Sequence, residues 1–342
     1  MAERLLEVDD LSVSFATEDG IVRAVNGVSF ELDRGQVLGI VGESGSGKSV
    51  TAMTLMGLTR DVNSRFSGAV LYKGKNLLDL SDSEMQNYRG NEIGMIFQDP
   101  MTSLNPVYRI GEQIVEAIRT HENVDKRTAH RRAIELLKQV GIPNPESRVD
   151  DFPHQFSGGM RQRAMIAMAL SCNPSILIAD EPTTALDVTI QAQIVELINK
   201  LKSDFDSAVI MITHDLGVVA DIADDIVVMY AGRVVEHAST PELFYDPQMP
   251  YTWGLLGSIP RLDRPRPERL FSISGSPPSL ITLPAGCKFR PRCPHAFERC
   301  SEEPVLENRV EAPGHLDRCR LDVEYKRAHR EETISGGQPE AA

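Results

Sequence analysis

Long apolar runs are absent from this 342-residue chain. No stretch approaches the roughly 20 apolar residues that cross a bilayer, and the longest candidates are short runs such as Ile176–Ala179 and Ile226–Tyr230. The amino terminus, Met-Ala-Glu-Arg-Leu-Leu-Glu-Val, also lacks the basic-then-apolar layout of a signal peptide. We therefore expect a cytoplasmic protein that meets a membrane only through partners.

An excess of basic residues is also absent. The chain has 36 Lys and Arg against 49 Asp and Glu, a formal net charge of −13. Proteins that bind nucleic acid usually present a basic stripe that displaces counterions from phosphates, so a nucleic-acid partner is disfavoured. With 41% hydrophobic and 25% charged residues, the composition is ordinary for a globular protein and excludes wholesale disorder and a fibrous repeat.

Cysteine is scarce and unevenly placed. Cys172 stands alone and is expected to be a core residue, whereas four cysteines lie in the last sixth of the chain. Disulfides are rare in a reducing cytoplasm, so this group predicts a metal site. Four thiolates hold either tetrahedral zinc or an iron–sulfur cluster. No pair is as close as in a typical zinc knuckle, which favours the cluster. The four are Cys287, Cys293, Cys300 and Cys319.

Apolar runs that alternate with helical patterns predict a parallel sheet covered on both faces. Leu11–Phe15 and Val28–Leu32 alternate as strands do, and Val37–Val41 is typical of a buried parallel strand. The predicted helices and the further strands that alternate with them are Lys48–Leu58, Ile176–Ala179, Thr189–Leu201, Ala208–Thr213 and Leu216–Ile222.

Composition shifts divide the chain into three parts. Residues 1–260 are predicted to form one domain, in which the charged helical sequence of Gly111–Ile142 marks an inserted helical subdomain at about 100–170. The proline-rich segment Arg261–Leu283 marks a boundary. A small C-terminal module is predicted at 261–330, and the tail 331–342 is expected to be disordered.

The strongest motif is Gly42-Glu-Ser-Gly-Ser-Gly47-Lys48-Ser49, which fits the phosphate loop G-x-x-x-x-G-K-[ST]. It follows a predicted buried strand and opens a predicted helix, as that motif requires. Its glycines let the backbone wrap phosphates, whose charge the loop amides and the helix amino terminus then face. Lys48 is expected to bridge the β- and γ-phosphates of ATP, and the Ser49 hydroxyl to bind Mg²⁺.

Adjacent carboxylates follow the apolar strand Ile176–Ala179. Asp180 suits the role of holding Mg²⁺, directly or through water, and Glu181 suits that of polarising the attacking water. Acidic pairs at strand ends are commonly just solvated, so this signal acquires meaning only beside the phosphate loop.

Phe156-Ser157-Gly158-Gly159-Met160 resembles the signature of ABC ATPases, a motif that other phosphate-loop proteins lack. The resemblance covers about Leu5 to His237. It implies an α/β fold with a RecA-like phosphate-loop core, an antiparallel β subdomain and an inserted helical subdomain. It also implies that Ser157, Gly158 and Gly159 cap the ATP of the opposite subunit. Phe156 and Met160 depart from the common Leu-Ser-Gly-Gly-Gln pattern.

Further positions match the same family. By that resemblance Gln98 senses Mg²⁺ and lies where transmembrane subunits dock, Asp187 lies at the dimer seam, and His214 contacts the γ-phosphate. Phe15 has the position of the aromatic residue that stacks on adenine, although it also fits the apolar face of a strand. The nucleotide contacts implied overall are Phe15, Gly42, Ser44, Gly45, Ser46, Gly47, Lys48, Ser49, Val50, Gln98, Asp180, Ser157, Gly158, Gly159 and Asp187, with Ser49, Gln98 and Asp180 around Mg²⁺ and with Glu181, His214 and Gln98 catalytic.

Gln98–Pro106, Pro153–Gln155 and Pro250–Leu256 resemble the dipeptide and oligopeptide importers, a subfamily that nickel importers share. That resemblance implies a second, related ATPase chain, two permease subunits and an extracytoplasmic binding protein at the cytoplasmic face of a bacterial membrane. It also implies a [4Fe–4S] cluster on the C-terminal cysteines, with Zn²⁺ as the alternative; His295 and His315 are expected at the surface. The rival interpretations are an ABC ATPase outside transport and a regulatory nucleotide sensor.

Overall fold

The structure is a computed structural model, and it describes residues 3–99, 103–184, 187–259 and 272–335. Residues 260–271 therefore lie outside the described part. They include the first half of the proline-rich boundary segment. The final helix extends to Ile334, so the boundary drawn at residue 331 falls inside a helix. The predicted tail from residue 336 onward lies outside the described residues.

A mixed sheet forms the centre of the fold. Its strand order is β11-β12-β10-β9-β3-β8-β7-β6, and the five strands from β9 to β6 are parallel neighbours. The prediction of a parallel sheet is confirmed for that part, whereas β10, β12 and β11 add an antiparallel edge. The strands are β3 Val37–Val41, β6 Ile93–Ile96, β7 Ile176–Asp180, β8 Ala208–Thr213, β9 Asp225–Tyr230, β10 Arg233–Ser239, β11 Glu307–Asn308 and β12 Leu316–Asp317.

A second sheet is antiparallel and has the order β2-β1-β4-β5. Register shifts in β1 between Val8 and Ser14 bend the long hairpin that it forms with β2. This sheet is the antiparallel β subdomain that the sequence predicts. Its strands are β1 Arg4–Thr17, β2 Gly20–Asp33, β4 Ser64–Tyr72 and β5 Lys75–Asn76.

Helices cover the central sheet and form the inserted subdomain. Within that subdomain the helices pack against one another through Ile114, Ile118, Leu137 and Val140, all buried. In the described part of the chain, no helix is both long enough and apolar enough to span a bilayer. The helices are α1 Lys48–Leu55, α2 Asp82–Met85, α3 Ile110–His121, α4 Lys126–Gln139, α5 Pro145–Arg148, α6 Gly158–Ala169, α7 Val188–Phe205, α8 Leu216–Ala220, α9 Thr240–Tyr245, α10 Pro250–Gly257 and α11 Val323–Ile334.

The central sheet is buried on both faces, because its strands carry apolar side chains in both directions. In β3, Val37 and Val41 belong to one core and Leu38 and Ile40 to the other. The first core continues into the helical subdomain, and the second into the antiparallel sheet. A continuous apolar strand such as β3 is what a sheet covered on both sides requires.

The C-terminal segment joins the main body directly. Strand β12 pairs with β10, and the Arg318 N–H donates to the Val235 carbonyl at 2.9 Å. Phe289, Cys319 and Ile334 belong to the same buried core as the central strands. This C-terminal segment, residues 272–335, therefore extends the sheet and the core of the main domain.

Candidate active site

Four parallel strands deliver their following residues to one edge of the central sheet. Strand β3 leads into the phosphate loop, β6 to Gln98, β7 to Asp180 and Glu181, and β8 to His214. The carboxyl ends of parallel strands share one edge, which is where α/β sheets bind ligands. The fold thus brings together residues as far apart in the sequence as Gly42 and His214.

The phosphate loop needs glycine at two positions for a steric reason. Gly42 has φ 150°, and a Cβ there would lie 2.2 Å from the Met229 carbonyl oxygen. Gly47 has φ 104°, and its Cβ would lie 2.4 Å from the Ala24 carbonyl oxygen. Any side chain at either position clashes with the backbone, so the tight loop depends on both glycines.

Lys48 is buried beneath the loop that it serves. Its Nζ donates to the Gly42 carbonyl at 2.7 Å and to the Glu43 carbonyl at 3.0 Å. Burial lowers the pKa of Lys48, although the charges of Glu181, Asp180 and Glu43 oppose that shift. An ammonium group that now bonds two carbonyls can exchange them for phosphate oxygens, which bear more charge.

Ser49 and Asp180 form the hydroxyl and carboxylate pair that a magnesium site requires. The Ser49 Oγ donates to Asp180 Oδ1 at 3.0 Å. Burial raises the pKa of Asp180, against the hydrogen bond from Ser49. Oxygen donors of this kind suit Mg²⁺, which binds through one or two protein ligands together with substrate phosphates. The donor set therefore fits the ion.

Glu181 is the centre of a hydrogen-bonded group. Its Oε2 accepts from Gln98 Nε2 at 2.8 Å and from Thr184 Oγ1 at 2.8 Å, and its Oε1 lies 3.4 Å from His214 Nδ1. The side chain is 13% exposed. Its backbone has φ 45°, and its N–H donates to the Ile212 carbonyl on β8. The three residues assigned a catalytic role meet here, and the strained backbone is typical of functional sites.

The surroundings of Glu181 keep its carboxylate charged. Burial raises its pKa, but the Thr184 hydrogen bond and the nearby His214 and Lys48 charges outweigh burial and lower the pKa overall. An ionised carboxylate can accept a proton from water. Thr184 was not among the residues singled out in the sequence; its position three residues after Glu181, at a strand end, was the available signal.

The structure places Phe15, the residue predicted to stack on adenine, in the antiparallel sheet. Phe15 lies on β1 opposite Val22 and Ser64 and is partly buried against the second core. Strand β2 runs beside the phosphate loop, since the Ala24 carbonyl borders both Gly47 and Gly232. Both expectations for Phe15, adenine stacking and core packing, remain compatible with this position, and stacking stays a prediction.

The signature and the predicted dimer-seam residue share one exposed surface. Ser157 caps α6 by accepting from the Met160 N–H at 3.3 Å, and Asp187 caps α7 by accepting from the Ile190 N–H at 3.0 Å. Ile190 also borders Gly159. Ser157, Gly158 and Asp187 are exposed, so two helix amino termini face outward side by side. Such an edge suits an anion brought by another subunit.

The four C-terminal cysteines line one cavity of about 20 Å³, which has room for about one water molecule. Among residues 3–99, 103–184, 187–259 and 272–335, no three His, Cys, Asp or Glu side chains are grouped so that they could hold a metal ion. Burial raises the pKa of Cys287, of Cys293 and, to about 12, of Cys319. The thiol donor set fits an iron–sulfur cluster in its chemistry, but the space for one is not preformed.

Two sequence-based expectations about histidines are wrong. His295 and His315 are buried, with 7% and 1% of their surface exposed. His315 Nε2 lies 2.9 Å from Glu236 Oε1, and His295 packs against the Trp253 ring. Both rings contact partners that are distant in sequence, which no local pattern reveals. Cys172, expected in the core, is half-buried, with its Sγ 3.7 Å from the Ala117 carbonyl.

Comparisons with known proteins agree with this geometry. A family model described as ABC transporter matches residues 25–184, and one described as oligopeptide/dipeptide transporter, C-terminal region, matches residues 235–300. The oligopeptide transport ATP-binding protein OppD of Salmonella typhimurium is 54% identical over 94% of this chain and 95% of its own length. The dipeptide transport ATP-binding protein DppD of Lactococcus lactis is 56% identical over 85% of this chain and 83% of its own.

A solved structure extends the likeness to the fold. The ATP-binding cassette MJ0796, in a dimeric post-hydrolysis state with ADP and Pi, superposes with a TM-score of 0.62 at 27% identity. The likeness covers 69% of this chain and 98% of that cassette. The fold is therefore that of an ATP-binding cassette with additional residues. The chain belongs to the ABC transporter family, among its oligopeptide and dipeptide transport ATP-binding proteins.

Proposed function

We propose that this chain is the ATPase subunit of a peptide importer, which binds and hydrolyses ATP at a dimer interface and drives di- or oligopeptides through partner permeases. The observation that carries the proposal is the grouping of Gln98, Thr184 and His214 around the Glu181 carboxylate, beside the Ser49 and Asp180 pair. The relatives named for oligopeptide and dipeptide transport support the substrate class.

The site residues divide the chemistry among them. Lys48 and the amides of the phosphate loop bind the β- and γ-phosphates, and Glu181 accepts the proton of the attacking water. The bond from this water to the γ-phosphorus forms as the bond to the ADP oxygen breaks, while His214 orients the γ-phosphate. Ser49, Asp180 and Gln98 would hold Mg²⁺, which would supply positive charge against the phosphates.

The signature of this chain serves a neighbouring ATP. Ser157 and Gly158 are exposed at the start of α6, where a hydroxyl and free amides can receive a γ-phosphate from outside. Each ATP then lies between one phosphate loop and the opposite signature. The dimeric state of the MJ0796 cassette supports this arrangement. The partner is a second, related ATPase chain.

The remaining partners follow from the importer assignment. Two permease subunits dock near Gln98, and an extracytoplasmic binding protein delivers the solute, which places this chain at the cytoplasmic face of the membrane. Uptake of labelled di- and oligopeptides is expected to fall in cells that lack the chain. A loss of nickel uptake with peptide uptake intact would assign it to the nickel alternative, and unchanged uptake of both would reject the peptide and nickel assignments.

Glu181→Gln tests the ATPase assignment directly. The amide keeps the shape of the side chain but cannot accept the water proton, so ATP binding should persist while turnover falls by at least about a hundredfold. Glu311→Gln removes the same charge from an exposed position and is the control, with unchanged turnover expected. Hydrolysis at the wild-type rate in Glu181→Gln would reject the assignment.

We further propose that Cys287, Cys293, Cys300 and Cys319 hold a [4Fe–4S] cluster. Four thiols on one cavity support it, and Zn²⁺ on the same thiols is the alternative. When bound, the cluster would cross-link distant parts of the C-terminal segment through its irons.

Metal analysis of the anaerobically purified full-length chain tests this proposal. About four iron and four sulfide per chain are expected, with loss of both in Cys293→Ser. Cys172→Ser is the matched control, because Cys172 does not line that cavity. One zinc per chain without iron would replace the cluster by the zinc site, and a metal content that Cys293→Ser leaves unchanged would remove the cysteines from either site.

A further inference from the structure

The phosphate loop is fastened to the C-terminal segment by one arginine. Arg292 lies in the segment that follows residue 272, next to Cys293, and its side chain is 4% exposed. Its Nη1 donates to Glu43 Oε2 at 2.6 Å and its Nη2 donates to Glu43 Oε1 at 2.9 Å. Glu43 is the residue after the first glycine of the loop. The contact is a two-pronged pair between planar groups, the geometry in which arginine and carboxylate bind best.

All the donors of Arg292 are in use. Besides Glu43, the guanidinium donates to the carbonyls of Ser274 and Ile273 and to the Tyr230 hydroxyl, at 2.9, 3.3 and 3.3 Å. An arginine has five N–H donors in a fixed plane, and here each has an acceptor. Arg292 is therefore immobilised, and it immobilises the Glu43 side chain in turn.

A ring cluster supports the same part of the loop. The Glu43 N–H donates to the Tyr251 hydroxyl at 2.8 Å. The ring centroids of Tyr230, Tyr251 and Phe289 lie 4.6 to 5.4 Å apart. Tyr251 belongs to α10, and Phe289 lies three residues before Arg292. Glu43 is thus held at its backbone and at its side chain by residues outside the core motifs.

The negative charge of Glu43 connects this contact with ATP binding. Glu43 puts a negative charge into a loop built for phosphates, and its own carbonyl accepts from Lys48 Nζ. Without a cation beside it, the carboxylate would repel the nucleotide and compete for Lys48. Arg292 supplies that cation and binds the carboxylate to the C-terminal segment.

We propose that Arg292 is a positioning residue for ATP, which holds the phosphate loop through Glu43 in the conformation that receives the phosphates. The inference rests on ATP binding at this loop, as proposed above. It assigns to the C-terminal segment a direct part in nucleotide affinity. No motif of the ATPase core includes Arg292.

The test compares Arg292→Gln with a matched arginine of the same segment. Arg318 also precedes a cavity cysteine and also ties the segment to the main body, with its Nε on the Val234 carbonyl at 2.7 Å and its Nη1 on the Pro304 carbonyl at 3.0 Å. Arg318 does not contact Glu43. Equilibrium binding of MgATP is measured on the full-length chain, with melting temperatures alongside, and KM and kcat are measured in the assembled transporter.

Arg292→Gln should weaken MgATP binding and raise KM about tenfold, with kcat within about twofold, because contacting charged residues commonly couple by that amount. Arg318→Gln should leave affinity within about twofold. Glu43→Gln on top of Arg292→Gln should restore part of the affinity by removing the unpaired charge. This rescue separates positioning from a loss of fold.

Other results would overturn the proposal. Unchanged affinity in Arg292→Gln, with wild-type binding intact, rejects the positioning role and leaves the ATPase assignment standing. Equal losses in the two arginine variants would mean general damage to the segment, which also rejects it. If Arg292→Gln does not fold, Glu43→Gln alone decides, and an unchanged KM there rejects the role. A wild-type chain that binds no ATP would reject the ATPase function itself.

Discussion

Glu181 depends on a neighbour that belongs to none of the recognised motifs. The Thr184 hydroxyl bonds the carboxylate at 2.8 Å, and this contact helps to lower the pKa of Glu181 against the effect of burial. The carboxylate must be deprotonated to accept a proton from water. Activity is thus present above the pKa of Glu181 and is lost as the pH falls through it.

Thr184→Ala should move the acid limb of the pH profile of kcat to higher pH. Removing the hydroxyl removes one cause of the lowered pKa, so kcat at pH 5 should fall further below its value at pH 7.5 than in the wild type. A pH profile of kcat in the assembled transporter measures this. Thr128→Ala, which deletes a similar bond to Asp125 at 3.1 Å on the surface, should leave the profile unchanged. A limb that moves to lower pH would contradict the explanation.

The phosphate loop makes a second prediction at single positions. Gly47→Ala forces a Cβ to within 2.4 Å of the Ala24 carbonyl at a positive φ, so the loop must distort, and MgATP binding should be lost or reduced at least about tenfold. Gly158 has open space around it, and Gly158→Ala should leave MgATP binding by the separate chain unchanged. Equal binding by both variants would contradict the steric account of the loop.

At the scale of elements, a buried ion pair holds the last strand and the last helix together. Lys326 on α11 donates to Asp317 on β12 at 2.8 Å, and both side chains are essentially unexposed. Lys326→Met removes a positive charge that compensates the buried carboxylate of Asp317. The free energy of unfolding should fall by about 3 kcal/mol, as measured by urea titration.

The matched comparison is Lys202→Met. Lys202 pairs with Asp224 at 3.5 Å, where the two side chains are 25% and 55% exposed. Its loss should cost less than about 1 kcal/mol, because water already screens the pair. Similar losses in the two variants would show that burial does not determine the contribution of the inner pair.

How far each element was predictable depends on whether its signal is local. Strand β3 and the loop after it were evident, because five apolar residues followed by a glycine-rich motif have few other structures. Strands β11 and β12 have two residues each and show no period. They exist only because β10 offers an open edge to β12. Helix α7 runs from Val188 to Phe205, longer than predicted at both ends, since the Asp187 cap begins it.

At the scale of the whole molecule, the outward-facing signature predicts a division of labour between chains. In the transporter, Gly158→Ala should stop hydrolysis at the phosphate loop of the partner ATPase but not at Lys48 of this chain. A photoreactive ATP analogue trapped with vanadate reports this, because it labels the chain whose loop has turned over. Labelling lost only on this chain would place the signature beside its own loop and contradict the dimer arrangement.

Residues of the site differ in how well the sequence predicted them. Glu181 was located by its place at the end of an apolar strand, and Gln98 and His214 were located by their resemblance to ABC ATPase motifs in order and spacing. Arg292 could not be located in that way. It meets Glu43 across 249 residues, and an arginine beside a cysteine carries no pattern that names a partner. Ion pairs between residues far apart in the sequence produce no periodic pattern that could predict them.

The separation of 249 residues between Glu43 and Arg292 also determines the order in which the two parts of this contact are synthesised. On a ribosome the phosphate loop is made early, and the arginine that anchors it emerges only when most of the chain is complete. Contacts so far apart form late in folding, after the entropy of closing a long loop has been spent. A nascent or shortened chain that stops before residue 292 therefore has every residue of the loop motif but not its anchor. The protein should therefore reach its full nucleotide affinity only at the end of its synthesis.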